Sequence, residues 1–211
     1  MRKLIQVLAL ALSALLFAGA PLAQSHQILN VKGKVQVEVP ADWGINDAEH
    51  RKRVAEFAKT ITGKEGVLAS LSVASHPQPS KMFVRVSFVK FDDPITQEDV
   101  RKEVTANRKQ VLDDLASTWA EDGPEMWAAL GKRGVREVGK ATFDIEPLGG
   151  KIALVIKYSR TAPTLPGATM QVTQYHVPIG VEKALITLSV VTGDEDMRRA
   201  HDRIKASIKI R

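Results

Sequence analysis

The sequence predicts an α+β fold: a single domain with a mainly antiparallel β-sheet and helices packed on its faces. Three observations carry that expectation. Segments such as Val35-Gln36-Val37-Glu38-Val39 alternate apolar and polar residues with the period of a half-buried strand. The stretch from Val100 to Trp119 instead places its apolar residues at helical steps, as a stripe that needs a flat partner. From residue 136 onward, alternating segments are separated by short turns containing Pro or Gly, the pattern of an antiparallel meander.

Taken in order, the chain begins with Arg2 and Lys3 and an almost wholly apolar run from Leu4 to Ala18. Small residues follow at Gly19, Ala20 and Ala23. This layout is that of a secretory signal peptide. Pro21 disfavours cutting after Ala20, so the expected cleavage lies between Ala23 and Gln24; the alternative is an uncleaved anchor. Residues 1–23 are read as signal and 24–211 as one domain, exported to the periplasm or secreted. Removing 23 of the 211 residues leaves 188, enough to bury about 70% of the unfolded surface. The chain has no cysteine, which excludes disulfides, a lipid-modified cysteine and thiolate zinc sites. Arg2 and Lys3 leave with the signal, so the formal charge of +6 becomes +4.

The first strand is expected over 34–39, with Pro40, Trp43 and Gly44 turning the chain out of the sheet. Asn46 is placed to cap a helix over 47–60, and Val54, Phe57, Ala58 and Ile61 form its apolar stripe. Strands over 67–73 and 82–91 are expected to form a hairpin across the Pro-rich loop 75–80. Thr96, followed by Glu98 and Asp99, opens the longest helix. Val100, Val104, Val111, Leu115 and Trp119 make its stripe, broken once by Arg108. It should end near Asp122-Gly123-Pro124, with a short second helix over 124–130 anchored by Trp127. Strands then follow over 136–145, with a break at Gly139, and over 151–160, 169–177 and 183–192. Asp194-Glu195-Asp196 starts a last helix with Met197, His201, Ile204 and Ile208 as its apolar face.

The order of these elements, with Val37-Glu38-Val39-Pro40 and Trp43, then Pro94-Ile95-Thr96, then Leu185-Ile186-Thr187-Leu188-Ser189 and 205–208, resembles the PsbP-like superfamily, including its bacterial exported members. The resemblance covers nearly all of the chain after the signal, through short motifs. It implies a PsbP-like α/β sandwich and a non-enzymatic accessory or binding role towards larger assemblies. It carries over no catalytic residues. The basic helix holding Arg51, Lys52 and Arg53 departs from the pattern.

The chemistry-bearing residues fit no catalytic constellation. The five histidines, His26, His50, His76, His176 and His201, show no metal-binding helix spacing and no His-x-Glu or His-Glu-x-x-His pattern. No metal and no cofactor are expected. Gly193-Asp194-Glu195-Asp196 lacks the ligand spacing of a calcium loop, and Gly149-Gly150 precedes a strand rather than a helix, unlike a phosphate cradle. No Gly-x-Ser-x-Gly elbow exists. His176 shares a strand face with Met170, Val172 and Gln174, which implies a half-buried structural role or a site assembled in space. Trp43 is a candidate contact residue, or it closes an edge of the core. Arg51, Lys52 and Arg53 form a solvated face or a patch for an anionic membrane surface. Nucleic acid is not expected as a partner. The sequence thus points to an exported, non-enzymatic accessory protein that docks on another envelope protein through loops 75–80 and 162–167. The alternatives are a small-ligand binder or hydrolase with a pocket between sheet and helices, and electrostatic association with membrane.

Overall fold

A computed structural model of the protein describes residues 25–45 and 72–211. The expected signal, the helix over 47–60 with Arg51, Lys52 and Arg53, and the expected strand up to residue 71 lie outside the described residues.

Val35, Val37 and Val39 are fully buried, as their alternation requires, but they belong to the second strand of the fold and not the first. β1 (His26–Val31) precedes β2 (Val35–Pro40) and pairs with it antiparallel, from His26 opposite Pro40 to Val31 opposite Val35. The turn between them places Lys32 and Gly33 at φ +54° and +68°, and the Lys34 N–H donates to the Val31 carbonyl at 3.0 Å. Positive φ at both central positions is the type I′ geometry that matches strand twist. A two-residue strand near the chain end, Lys209–Ile210, pairs with the other edge of β2 and completes a three-stranded sheet.

The larger sheet has seven strands, every neighbouring pair antiparallel. In chain order they are β3 (Gly44–Ile45), β4 (Ser72–Ser75), β5 (Met82–Ile95), β6 (Glu137–Leu148), β7 (Lys151–Thr161), β8 (Thr169–Pro178) and β9 (Gly180–Val191). In space the order is β3-β4-β5-β9-β8-β7-β6. The terminal strand, Lys209–Ile210, is β10. The hairpin β4–β5 and the meander β6 to β9 form as the turn residues predict. Contrary to expectation, Asp92-Asp93-Pro94 does not end β5. The strand runs on to Ile95 through a slip in register between Lys90 and Ile95, where a missing proline N–H breaks no ladder bond. The break expected at Gly139 is present: its φ is +75° and the register slips between Val138 and Thr142.

α1 (Gln97–Gly131) starts in a full capping box. The Asp99 N–H donates to Thr96 Oγ1 at 3.1 Å, and the Thr96 N–H donates to Asp99 Oδ2 at 2.9 Å. The helix departs from expectation in not stopping at Pro124. Trp119, Gly123 and Trp127 succeed one another at steps of four, so the face meeting the sheet continues through the proline. Packing on that face offsets the hydrogen bond that Pro124 cannot make. The one non-helical residue is Asn107 (φ −139°, ψ 39°), next to Arg108, which turns out to pair with Asp144 at 2.9 Å. α2 (Glu195–Ser207) is capped by Asp194, whose Oδ1 accepts the Met197 N–H at 3.1 Å.

The large sheet is covered on both faces, as the fold class anticipates. One face packs against β1, β2, β10 and α2. Val35, Val37, Val39, Met82, Val84, Val86, Tyr175, Ile186 and Leu188 form one continuous apolar cluster there with Ile204 and Ile208. A close approach pins this layer: a side chain at Gly149, φ +56°, would meet Ile210 Cγ1 at 2.9 Å and the Ile208 carbonyl oxygen at 3.1 Å. On the other face α1 crosses β6 and β7, and Leu115, Trp119 and Trp127 pack on Ile156, Tyr158 and Val172.

Candidate functional site

The face of the large sheet turned towards α1 differs in composition from the face turned towards α2. Strand register explains how. Arg85 on β5 lies opposite Thr187 on β9, which lies opposite Gln174 on β8; in the adjacent row Ser87, Leu185 and His176 follow. Side chains directly opposite on one face stand about 5 Å apart at Cβ, so four polar strand positions and a histidine share one patch. Lys183 lies two residues beyond Leu185 on the same face. Ser87 and Thr187 are essentially sealed from solvent, 0% and 1% exposed, whereas Arg85, Gln174, His176 and Lys183 are half-buried.

Hydrogen bonding on this patch is incomplete. Gln174 Nε2 donates to the Tyr158 hydroxyl at 3.3 Å. Arg160 donates to the Thr161 carbonyl at 3.2 Å and to Met170 Sδ at 3.4 Å. Among the described residues, five buried side-chain atoms have no hydrogen-bond partner: Arg85 Nε, Ser87 Oγ, Thr187 Oγ1, His176 Nε2 and Trp127 Nε1. The first four sit on the patch. Trp127 reaches it from α1, with its ring 5.6 Å from that of Tyr158. Among the described residues, every such atom therefore belongs either to this face of the sheet or to α1 itself.

The electrostatics follow from burial. Desolvation lowers the pKa of Arg85 and of Arg160, and that of Lys183, where the Asp122 carboxylate partly opposes the effect. Burial, reinforced by the positive charge of Lys183, pushes His176 down to about 3, so its imidazole is neutral at ordinary pH. Burial raises the Tyr158 phenol against the pull of Arg85 and Arg160. The α2 side shows the contrasting solution. There Glu146 accepts from Lys157 and, at 2.6 Å, from Lys205, and these two ammonium groups outweigh its desolvation and hold its carboxyl below the usual range.

The residues singled out by sequence are distributed as follows. His176 shares its face with Met170, Val172 and Gln174 as read, and falls within the patch. Trp43 is 5% exposed and belongs to the apolar core, with its ring edge-on to His76 at 6.3 Å and its carbonyl accepting from Gln27 Nε2 at 2.7 Å. It thus braces a loop and presents no exposed surface of its own. Arg51, Lys52 and Arg53 lie outside the described residues. Arg85, Ser87, Lys183 and Thr187 were missed, because polar residues alternating with apolar ones read as the solvent side of a strand. The signal that would have found them is the alignment of such positions across three neighbouring strands.

The two Pro-rich loops meet at one end of the sheet. Met82 pairs with Val190, Met170 with Val191, and Thr161 with Thr169, which brings 76–81, 162–168 and the start of α2 to a common rim. The Val191 N–H donates to the Lys81 carbonyl at 2.8 Å and the Thr192 N–H to the Thr169 carbonyl at 2.8 Å, tying both loops to the end of β9. His76 Nδ1 accepts the Gln78 N–H at 2.9 Å, and Lys81 pairs with Asp194 at 3.3 Å.

No protein-family model and no curated protein matches the chain. Solved structures similar to it include cyanobacterial PsbP from Synechocystis, at 13% identity over 92% of this chain and 97% of that one, with a TM-score of 0.46. LpqN of Mycobacterium tuberculosis, involved in cell envelope biogenesis, is 15% identical over 88% and 90%, with a TM-score of 0.40. A Bacteroides thetaiotaomicron protein is 10% identical over 89% of this chain, with a TM-score of 0.44, and this chain spans about half its length (49%). These likenesses concern backbone shape alone.

Proposed function

We propose that this chain is an exported accessory protein that acts by binding, without catalysis, and docks on another envelope protein through the rim formed by loops 76–81 and 162–168. The observation that supports this reading is the convergence of both Pro-rich loops on one end of the sheet, each tied to β9 by backbone hydrogen bonds. Proline restricts the unbound loop, so ordering it against a partner costs less entropy. Trp43 supports the rim from beneath through His76.

The absence of native cysteine makes a clean test available. Single cysteines introduced as Ser80→Cys and Thr164→Cys, carrying a photo-crosslinker, are expected to capture the same envelope protein. A cysteine at Lys151, at the opposite end of β7, is expected to capture nothing. Equal capture from Lys151→Cys, or none from either loop, would count against docking through the rim.

A further inference from the structure

We infer that the groove between α2 and the open face of the three-stranded sheet binds a short peptide with a free ammonium end and a free carboxylate end. None of its lining residues belongs to loop 76–81 or loop 162–168, so this site is separate from the docking rim.

The groove has a volume of about 390 Å³. That lies at the lower end of the range for small-molecule sites and leaves room for about two or three small residues. Strand register sets out one wall. Residues 36, 38 and 40 of β2 share a face. Pro40 stands opposite His26 on β1, and Gln36 stands opposite Lys209 on β10. His26 and Lys209 therefore mark the two ends, and the Glu38 carboxylate lies between them. α2 supplies the other wall with Arg203, one turn ahead of Ser207 on the same helix face.

Hydrogen bonds fix the walls relative to each other. Ser207 Oγ accepts the Glu38 N–H at 2.9 Å and donates to the Ile204 carbonyl at 2.7 Å, which ties α2 to β2 beside the groove. Pro40 and Ile204, both buried, form its apolar floor. Ala200 and Ala206 line it with no more than a methyl group each, so α2 leaves space that a longer side chain would fill.

Charge defines the occupant. Glu38, Arg203 and Lys209 line one groove, yet among the described residues neither cation pairs with the carboxylate. Water satisfies an exposed charge, so the selective feature is the layout: an acid and two bases around an apolar floor, on walls held by the fold. A ligand with an ammonium group for Glu38 and a carboxylate for Arg203 and Lys209 meets both signs at once. A simple anion or cation meets only one and is repelled by the other. The small apolar body between the ends of a short peptide matches the floor.

The probes are trialanine, its N-acetylated form and its C-terminal amide, read by amide chemical shifts of the isotope-labelled folded protein. Trialanine is expected to give saturable shifts at Glu38, Arg203 and Lys209. Blocking either end should weaken binding about threefold or more, the scale of a partly exposed ion pair. Glu38→Gln should erase the preference for the free amine over the acetylated form. Arg203→Gln combined with Lys209→Gln should erase the preference for the free acid over the amide. Ala206→Leu keeps every charge, sits at an exposed position and should abolish the shifts by filling the groove. Three results would overturn the proposal: no saturable shift at these residues, blocked peptides binding as tightly as trialanine, or undiminished binding in Ala206→Leu. None of them bears on capture by the rim.

Discussion

The two faces of the seven-stranded sheet are made by the same strands and solve burial in opposite ways. Within β9 the contrast runs residue by residue. Ile186 and Leu188 point into the cluster beneath α2 and have no polar atom to satisfy, while Thr187 between them lies on the opposite face with an unpaired hydroxyl. In β5, Val84 and Val86 alternate with Arg85 and Ser87 in the same way. The face beneath α2 is built mainly from apolar side chains, and its Glu146 is paired with Lys157 and Lys205. The other holds buried polar groups without hydrogen-bond partners, each of which costs stability.

Four experiments would break or sharpen that comparison. The largest effect is expected from Ile186→Ala, which leaves a cavity on the packed face and should lower the unfolding free energy by roughly 3 kcal/mol in urea titration. Gly149→Ala forces a side chain into Ile210 at positive φ and should cost about 2 kcal/mol by the same measurement. The third effect depends on pH. His176 titrates near 6.5 when unfolded and at about 3 when folded. The unfolded chain therefore binds the proton first, and stability is full above about pH 6.5 and falls as pH drops towards 3, by at most about 1.4 kcal/mol per unit. His176→Gln should flatten the slope between pH 4.5 and 6.5, above the window in which the depressed carboxyl of Glu146 begins to titrate. The smallest effect has the opposite sign. Thr187→Val removes a buried unpaired hydroxyl and should stabilise the protein by about 1 kcal/mol in urea titration. A destabilised Thr187→Val would mean that the two faces do not differ as described.

Much of the fold was legible because each signal was local. The three valines of β2, the alternation of β5, the Thr96 helix start and the turns of the meander depend on neighbours in sequence, and each forms the type of element expected, although β2 is the second strand and β5 runs on to Ile95. What sequence missed depends on distant partners. β1 leads with polar residues and points Ile28 outward, 61% exposed, so its alternation is weak. β10 is two residues long and exists only because β2 offers an edge. α1 passes Pro124 because Trp119 and Trp127 grip Tyr158 on either side of Gly123. For the site, His176 was legible as a half-buried strand residue, but Arg85, Ser87 and Thr187 were not. Only the registration of β5, β9 and β8 turns three ordinary polar positions into one patch.

The pairing of β10 with β2 also sets a clock on folding. Residues 35 and 36 leave the ribosome early, yet one edge of their strand stays open until residues 209 and 210 arrive. The wall made by Val35, Val37 and Val39 is unfinished for that whole interval. A chain built in this way cannot complete the sheet of β1, β2 and β10 until residues 209 and 210 have been made.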